Sequence, residues 1–170
     1  MNKLVMYFLL FLVKPHKKKV IYSRYLNIKF GNNVRILHYP RWGSEPYLIE
    51  IGNNVTITRG VSFVNHDGGV ALFRKENPGL NVYGKIQVGD NVFIGINSII
   101  LPGVSIGDNV VIGAGSLVAQ NVPANSVVAG APAKIIKSFD EYRASSVVKG
   151  KQYPANKKLK EKSIRSQFGI

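Results

Sequence analysis

Cysteine is absent from this chain of 170 residues. The chain therefore has no disulfide bond, no thiol nucleophile and no cysteine metal ligand, and this composition suits a reducing compartment such as the cytoplasm. Acidic residues are also scarce, with 9 Asp and Glu against 23 Lys and Arg. A hydrophobic share of 45% and only 19% charged residues argue against disorder and against a coiled coil, so we expect one folded domain.

The positive charge is concentrated at the two ends of the chain. Residues 1–29 carry 7 basic side chains and no acid, and residues 149–170 carry 7 basic side chains and one acid, out of a net charge of +14. The region between them is close to neutral, which is not typical of a nucleic-acid reader, and we expect no nucleic acid partner. We expect residues 149–170, the lysine-rich C-terminal stretch, to form a flexible tail or a loosely docked helix.

An apolar run from Leu4 to Val13 is followed by Lys14, Pro15 and a lysine cluster. The run is roughly half as long as a bilayer-spanning helix. It is open to three interpretations: an interfacial helix whose lysines meet anionic lipid, a structural helix that covers a neighbouring subunit or the open end of the domain, and a signal segment. On the first interpretation, residues 1–19 make peripheral contact with a membrane, and the cytoplasmic protein lies at its inner face.

A period of six residues sets the fold. From Val88 the chain divides into VGDNVF, IGINSI, ILPGVS, IGDNVV, IGAGSL and VAQNVP, and IGNNVT and ITRGVS repeat the pattern from Ile51. A helix requires apolar residues three and four apart, and a β-sandwich would not keep this phase, so we predict short strands joined by Gly and Asn corners. Three blocks make one triangular coil, and stacked coils make a parallel β-helix.

The stretch IGINSIILPGVSIGDNVVIGAGSLVAQNVPANSVVAGAPAKIIK resembles the hexapeptide-repeat acyltransferases, which include maltose, galactoside and serine acetyltransferases and polysaccharide O-acetyltransferases. The resemblance implies an all-β fold built on a left-handed β-helix, and a homotrimer with active sites between subunits. We predict an N-terminal arm over residues 1–27, the β-helix over 28–137 with an inserted loop at 68–85, and a cap with a basic tail over 138–170.

His66 is the candidate general base. The repeat breaks just after it and returns at Val88, so this histidine lies at the root of the inserted loop, and rigid scaffolds commonly build their sites on such loops. Imidazole accepts a proton near neutral pH, as acyl transfer to a hydroxyl requires. The resemblance implies a catalytic histidine at the corresponding place. His16 and His38 carry no comparable signal.

Three residues are candidates for substrate binding. Asn65 and Asp67 flank the histidine, and Asp67 either orients the imidazole or stabilises the turn into the glycines that follow. Trp42, like Tyr39 and Tyr47, either stacks on a sugar ring or caps the coils.

The resemblance implies acetyl-CoA as donor, laid in a groove between neighbouring β-helices. Carried over residue by residue, it puts Gly95 and Ile96 near the thioester end, Ala114 further along the pantetheine arm, and Lys134 and Lys137 near the CoA phosphates. The Gly and Ala positions also turn the coils, and the GAPAKIIK segment also ends the β-helix. We expect no metal, because the three histidines lie too far apart in sequence to form a zinc set like that of the carbonic anhydrases with this fold.

These observations predict an O-acetyltransferase that moves acetyl from acetyl-CoA to a sugar hydroxyl in bacterial surface polysaccharide synthesis. N-acetylation of an amino sugar and O-acetylation of serine remain open, since the same base and donor serve them. A scaffold without catalytic activity that holds partners through its basic ends is the alternative from another class.

Overall fold

The computed structural model describes residues 3–170, so the first two residues of the predicted N-terminal arm lie outside the described residues. The chain forms two compact units, one ending at Phe139 and the other running from Asp140 to Ile170. The first unit holds the N-terminal helices together with the coils. The division into two units therefore does not test the boundaries at residues 27 and 137, which stay predictions.

Thirteen short strands build the body of the first unit in the part of the chain that the structure describes. They are β1 (Lys29–Phe30), β2 (Arg35–Ile36), β3 (Ile49–Ile51), β4 (Thr56–Ile57), β5 (Ser62–Phe63), β6 (Ile86–Val88), β7 (Val92–Ile94), β8 (Ile99–Ile100), β9 (Ser105–Ile106), β10 (Val110–Ile112), β11 (Leu117–Val118), β12 (Ser126–Gly130) and β13 (Ala133–Ser138). They form three sheets, ordered β1-β3-β6-β9, β13-β12-β10-β7-β4-β2 and β11-β8-β5. Every pairing between these strands is parallel except that of β12 with β13.

This topology is a parallel β-helix, as the six-residue period predicts. Each turn visits the three sheets in order, and equivalent residues on successive turns are 21, 37, 18 and then 16 positions apart. The 18-residue turn is three uninterrupted six-residue blocks. The 37-residue turn contains the inserted loop.

The period-six aliphatic positions form the core. In one sheet Ile36, Ile57, Ile94, Ile112 and Val128 are stacked in register, and all are buried. The two serines four places into their blocks, Ser98 and Ser116, are also buried, and each hydroxyl donates to the carbonyl of Gly113. The branched and small positions of the repeat therefore fill one continuous interior.

Asparagine turns one corner of the coil. The residues at this corner share a left-handed backbone with φ between 52° and 58°: Asn33, Asn54, Asn91, Asn109 and Asn125. Along the column the Asn91 side chain donates to Asn109 at 3.1 Å, and Asn109 donates to Asn125 at 2.9 Å. Asn tolerates this backbone conformation better than other residues with a Cβ, and stacking satisfies its amide.

The N-terminal helices are α1 (Lys3–Leu12) and α2 (Lys18–Leu26), separated by a 3-10 turn. Met6 and Leu10 of α1 are buried in one core cluster with Tyr22 of α2 and Trp42 of the first coil. The predicted role of the arm in covering the open end of the β-helix therefore has structural support.

The second unit contains most of α3 (Phe139–Lys149) and all of α4 (Lys157–Phe168). Asn156 caps α4 by accepting from the backbone N–H of Lys158 and Leu159. The lysine-rich C-terminal stretch forms the helix α4, where the sequence allowed either a flexible tail or a helix. Among the described helices, none combines the length and apolar character needed to cross a bilayer.

Candidate active site

His66 lies where the chain leaves the β-helix for the inserted loop. It follows β5 and pairs in antiparallel fashion with Tyr83, which lies just before the chain re-enters the coil. Beside this pair, the Asp67 N–H donates to the Val82 carbonyl at 2.9 Å and the Gly84 N–H donates to the Asn65 carbonyl at 3.0 Å. The two ends of the loop are thus joined at its root, which fixes the backbone of His66 to the rigid coil.

The imidazole of His66 contacts a serine and a glutamate from the preceding turn. Its Nδ1 lies 2.8 Å from Ser44 Oγ and 3.4 Å from Glu45 Oε2, and the Ser44 hydroxyl donates to Glu45 Oε2 at 2.6 Å. With Nδ1–H donating to Ser44, the other ring nitrogen, Nε2, is left unprotonated. The side chain of His66 is 41% exposed, so the ring is accessible to a substrate while a carboxylate lies on its far side.

Sequence reasoning missed Ser44 and Glu45. They lie 22 and 21 residues before His66, close to the offset of 21 that separates equivalent residues on these two turns. The parallel bridge between Arg41 and Ser62 sets this register. The irregular first turn obscures that offset in the sequence, and the weak repeat around Phe30 was the only signal that a turn precedes Ile51.

The side chain of Asn65 is directed into the protein interior. Its side chain is fully buried and its amide donates to the backbone carbonyls of Trp42, at 3.2 Å, and Glu45, at 2.7 Å. These bonds hold the segment that carries Ser44 and Glu45 beneath His66. The contacts support a positioning role for Asn65, and its predicted substrate contact stays a prediction.

Asp67 stabilises the turn, one of the two interpretations that the sequence left open. Its carboxylate accepts from the Gly69 N–H at 2.8 Å and caps the 3-10 helix Gly68–Phe73. The structure records no contact between this carboxylate and the imidazole of His66.

Trp42 belongs to the core. Its ring is 6% exposed and stacks on Phe63 with a centroid separation of 4.9 Å. This burial supports the capping alternative, and because Trp42 also lines a cavity beside the site, its substrate role stays a prediction. Tyr39 packs edge to face on His38 and lies under the Lys18 ammonium, whereas Tyr47 is exposed.

A cavity of about 620 Å³ adjoins the site on the side of α1. Met6 and Tyr7 of α1 line one wall, and Arg41, Trp42 and Ser44 of the first turn are among those that line another. Ser44 therefore borders both the cavity and the imidazole.

The predicted donor-binding residues lie at another corner of the coil. Ile96 and Ala114 occupy equivalent places on successive turns, and both are exposed. Gly95 is needed for packing, because a Cβ there would lie 2.6 Å from the backbone N of Ala114. The close approach of two turns therefore explains why residue 95 is glycine, whether or not a donor binds beside it.

Lys134 and Lys137 lie on β13, the antiparallel edge strand. Lys134 pairs with Ala129 and is exposed, and Lys137 pairs with Val127 and is half-buried. Ala129 covers Gly113 of the turn below, so Lys134 stands at the end of the column that carries Gly95. Lys134 therefore lies at the end of the corner that carries the predicted donor groove, whereas Lys137 lies further along the strand, toward the corner that Asn125 turns.

The described residues contain no group of three or more His, Asp or Glu side chains that would hold a metal ion.

The model of the family described as bacterial transferase hexapeptide (six repeats) matches residues 85–120. Protein CapG of Staphylococcus aureus is 53% identical over 143 residues, which cover 83% of both chains. A maltose O-acetyltransferase from Clostridium difficile 630 superposes with a TM-score of 0.57 and 37% identity over 66% of this chain and 59% of that one. A galactoside acetyltransferase in complex with coenzyme A superposes with a TM-score of 0.59 and 27% identity over 90% of this chain and 84% of that one.

The chain therefore belongs to the hexapeptide-repeat acyltransferase family.

Proposed function

We propose that this protein is an acetyl-CoA-dependent O-acetyltransferase whose acceptor is a sugar hydroxyl. The observation that carries the proposal is the imidazole of His66, held through Nδ1 by Ser44 and Glu45 at the root of the loop. Two similar structures, a maltose O-acetyltransferase and a galactoside acetyltransferase, support the reaction and the acceptor class. The resemblance to polysaccharide O-acetyltransferases supports a surface polysaccharide as the destination.

The reaction needs one group that first accepts a proton from the acceptor hydroxyl and then donates it to the leaving sulfur. Nε2 of His66 accepts the proton of the acceptor hydroxyl as its oxygen attacks the thioester carbonyl carbon. The C–S bond then breaks, the acetyl ester remains on the acceptor, and the imidazolium returns its proton to the leaving sulfur of CoA. Direct transfer in this order requires no covalent enzyme intermediate.

Ser44 and Glu45 act as positioning residues in this scheme. Nδ1–H donates to Ser44 Oγ, and Ser44 donates in turn to the Glu45 carboxylate, which selects the tautomer with a free Nε2. When the ring becomes an imidazolium, the carboxylate 3.4 Å from Nδ1 compensates its charge.

The donor would lie along the corner formed by Ile96 and Ala114, with Lys134 and Lys137 toward its phosphates. Exposed small and apolar side chains on successive turns suit a narrow pantetheine arm, and ammonium groups suit phosphates. The galactoside acetyltransferase neighbour, which was solved with coenzyme A, supports this class of donor.

We propose a homotrimer of left-handed β-helices, as in the family. His66 follows β5 of the three-stranded sheet, whereas Ile96 follows β7 of the six-stranded sheet, so the base and the donor corner belong to different sides of one prism. A neighbouring copy supplies a donor corner opposite each base, which makes the subunit interface the place of reaction. Because acetyl-CoA is made and used inside cells, a cytoplasmic location follows for the catalytic unit.

Release of CoA thiol from acetyl-CoA, followed with a thiol-reactive dye over a panel of sugars, amino sugars and serine, tests the proposal. We expect acceptor-dependent release with a sugar. His66→Ala should lower kcat by about 10²- to 10⁴-fold, the usual contribution of a general base. His38→Ala is the matched control and should retain activity.

Glu45→Gln and Ser44→Ala test the positioning role. We expect kcat to fall about tenfold with little change in KM, because the ring loses its orientation while the substrate contacts remain. Acetylation only at amino groups would replace the hydroxyl acceptor with an amine. No release with any acceptor, together with no acetyl-CoA binding, would favour the scaffold.

A further inference from the structure

Helix α1 has two apolar faces, and only one of them is used by the fold. Met6 and Leu10 are buried against the first coil. The opposite side, which we call the outer face, consists of Leu4, Val5, Phe8, Phe11 and Leu12, all exposed; Phe8 is 64% and Phe11 79% exposed.

The outer face is unusual for a helix in contact with water. A surface helix normally turns charged or polar residues to solvent, but from residue 4 to residue 13 the tyrosine hydroxyl is the only polar side-chain group. Capping the coil explains Met6 and Leu10, yet it does not explain two phenylalanines on the side away from the core. A contiguous exposed apolar surface of this kind marks an interaction site.

Basic residues follow the outer face along the chain. Residues 1–44 contain nine Lys and Arg and no Asp or Glu. Directly after α1 come Lys14, His16 and Lys17, which we call the basic collar, and all three are exposed. An apolar surface bordered by cations is complementary to an anionic lipid surface, where acyl chains lie beneath acidic headgroups.

The same charge argues against a second copy of this chain as the occupant. Two copies meeting through α1 would bring together two segments that have no acidic side chain in their first 44 residues. Insertion across the bilayer is excluded for α1 by its length, since 10 residues of helix span about 15 Å of a hydrocarbon core that is about 30 Å thick.

We propose that the outer face of α1 lies in the interfacial layer of an anionic bilayer, with the basic collar at the headgroups. The inner face of the helix stays packed on the first coil. The helix thus fastens the catalytic unit to the membrane surface as a rigid body, and this docking does not depend on the proposed acetyl transfer.

Sedimentation of the full chain with vesicles tests the outer face. The vesicles are phosphatidylcholine alone or phosphatidylcholine with about a third phosphatidylglycerol. We expect wild type to bind the mixed vesicles, and Phe8→Ser/Phe11→Ser to lower the partition coefficient at least about tenfold, because the apolar contact is lost. Val147→Ser/Val148→Ser removes two comparably exposed apolar side chains from α3 and should change it less than about twofold.

A charge pair tests the basic collar independently. Lys14→Glu/Lys17→Glu should abolish the preference for anionic vesicles, and raising the salt concentration should weaken wild-type binding. Lys157→Glu/Lys160→Glu in α4 makes the same change in net charge and is the matched control. Because Lys14 and Lys17 are exposed, this pair keeps the proposal testable if the phenylalanine variant fails to fold.

Three outcomes would overturn the proposal. Wild type that stays in the supernatant with mixed vesicles would show that the outer face does not bind lipid. Equal losses in each variant and its control would make the binding non-specific. A lower mass of Phe8→Ser/Phe11→Ser than of wild type by light scattering would assign the face to contact between copies. Thiol release measured in parallel on a soluble acceptor reports separately on the proposed function.

Discussion

Two turns of the same β-helix differ in what they hold. The turn from Val88 to the level of Ile106 is 18 residues long, and the residues at its period-six positions, Val88, Ile94, Ile100 and Ile106, are all buried. The preceding turn spans 37 residues, because the chain leaves the coil after His66 and returns at Ile86. The regular turn supplies packing, whereas the interrupted turn supplies the imidazole.

The inserted loop leaves the imidazole of His66 held in place. The loop is joined at its root by the pairing of His66 with Tyr83, and the turn below it places Glu45 behind the ring. A loop on a stacked scaffold can vary without breaking the stack, since each turn depends mainly on its two neighbours.

Breaking the regular turn should have the largest effect. Ile100 is fully buried in β8, so Ile100→Ala should lower the free energy of unfolding by about 2–5 kcal/mol through the lost burial and the cavity left behind. Ile136→Ala, at a residue 57% exposed on β13, should change it by less than about 0.5 kcal/mol. Denaturant unfolding measures both, and equal losses would contradict a core confined to the coil interior.

Removing the loop should spare the fold and damage the activity. Because Asp67 and Val82 are already paired, replacing residues 68–81 with Asn-Gly leaves a two-residue hairpin. Because we expect the loop to help shape the acceptor pocket, kcat/KM for the acceptor should fall about 100-fold, roughly 2.7 kcal/mol, with little change in thermal stability.

The control for the loop replaces residues 75–78 at its tip with a Gly-Ser segment of equal length. Acetyl transfer should be affected less than by the full replacement. A shortened loop that keeps full acceptor turnover would show that the inserted segment takes no part in the acceptor site.

Disturbing a corner should give an intermediate loss of stability. Asn109 has φ 55°, and its side chain bonds to those of Asn91 and Asn125. Asn109→Ala should cost about 1–3 kcal/mol, from lost hydrogen bonds and a left-handed backbone. Asn109→Gly should recover about 1 kcal/mol of this, since glycine adopts that backbone freely. Chemical denaturation of the two variants checks the order, and a more stable Ala variant would contradict it.

The smallest effect concerns a carboxylate between turns. Glu50 accepts from Lys29 and lies 2.7 Å from Lys85, and these two ammonium groups lower its pKa from 4.5 to about 2. A lowered pKa in the folded state adds stability above pH 4.5 that is lost as the pH falls toward about 2.

Because both lysines are exposed, Glu50→Gln should cost less than about 1 kcal/mol at pH 7. The difference from wild type should vanish near pH 2. Glu76→Gln in the loop is the control for loss of one carboxylate. A deficit of Glu50→Gln that persists in acid would rule out the ion pairs as its cause.

The sequence predicted more of the fold than of the site. The period of six identified the buried positions from Val88 to Val122 one by one, because every block repeats the same local demand for an aliphatic residue and a tight corner. The first turn was harder to read, since its three additional residues hide the offset that brings Ser44 under His66.

The burial of Trp42 and Asn65 shows a second limit. Both residue types serve in sugar sites and in cores, and the local sequence does not distinguish the two uses. Trp42 stacks on Phe63 across one turn of the coil, and the side-chain amide of Asn65 donates to two backbone carbonyls. No local pattern contains those partners.

What the sequence determined by itself is the β-helix and the one histidine at its interruption, because both follow from a short-range repeat and the point where it fails. The tertiary structure decided what surrounds that histidine and which face of α1 the coil covers. Those outcomes depend on contacts between residues more than twenty positions apart, and they are set by the stacking of turns and not by the identity of neighbours in the chain.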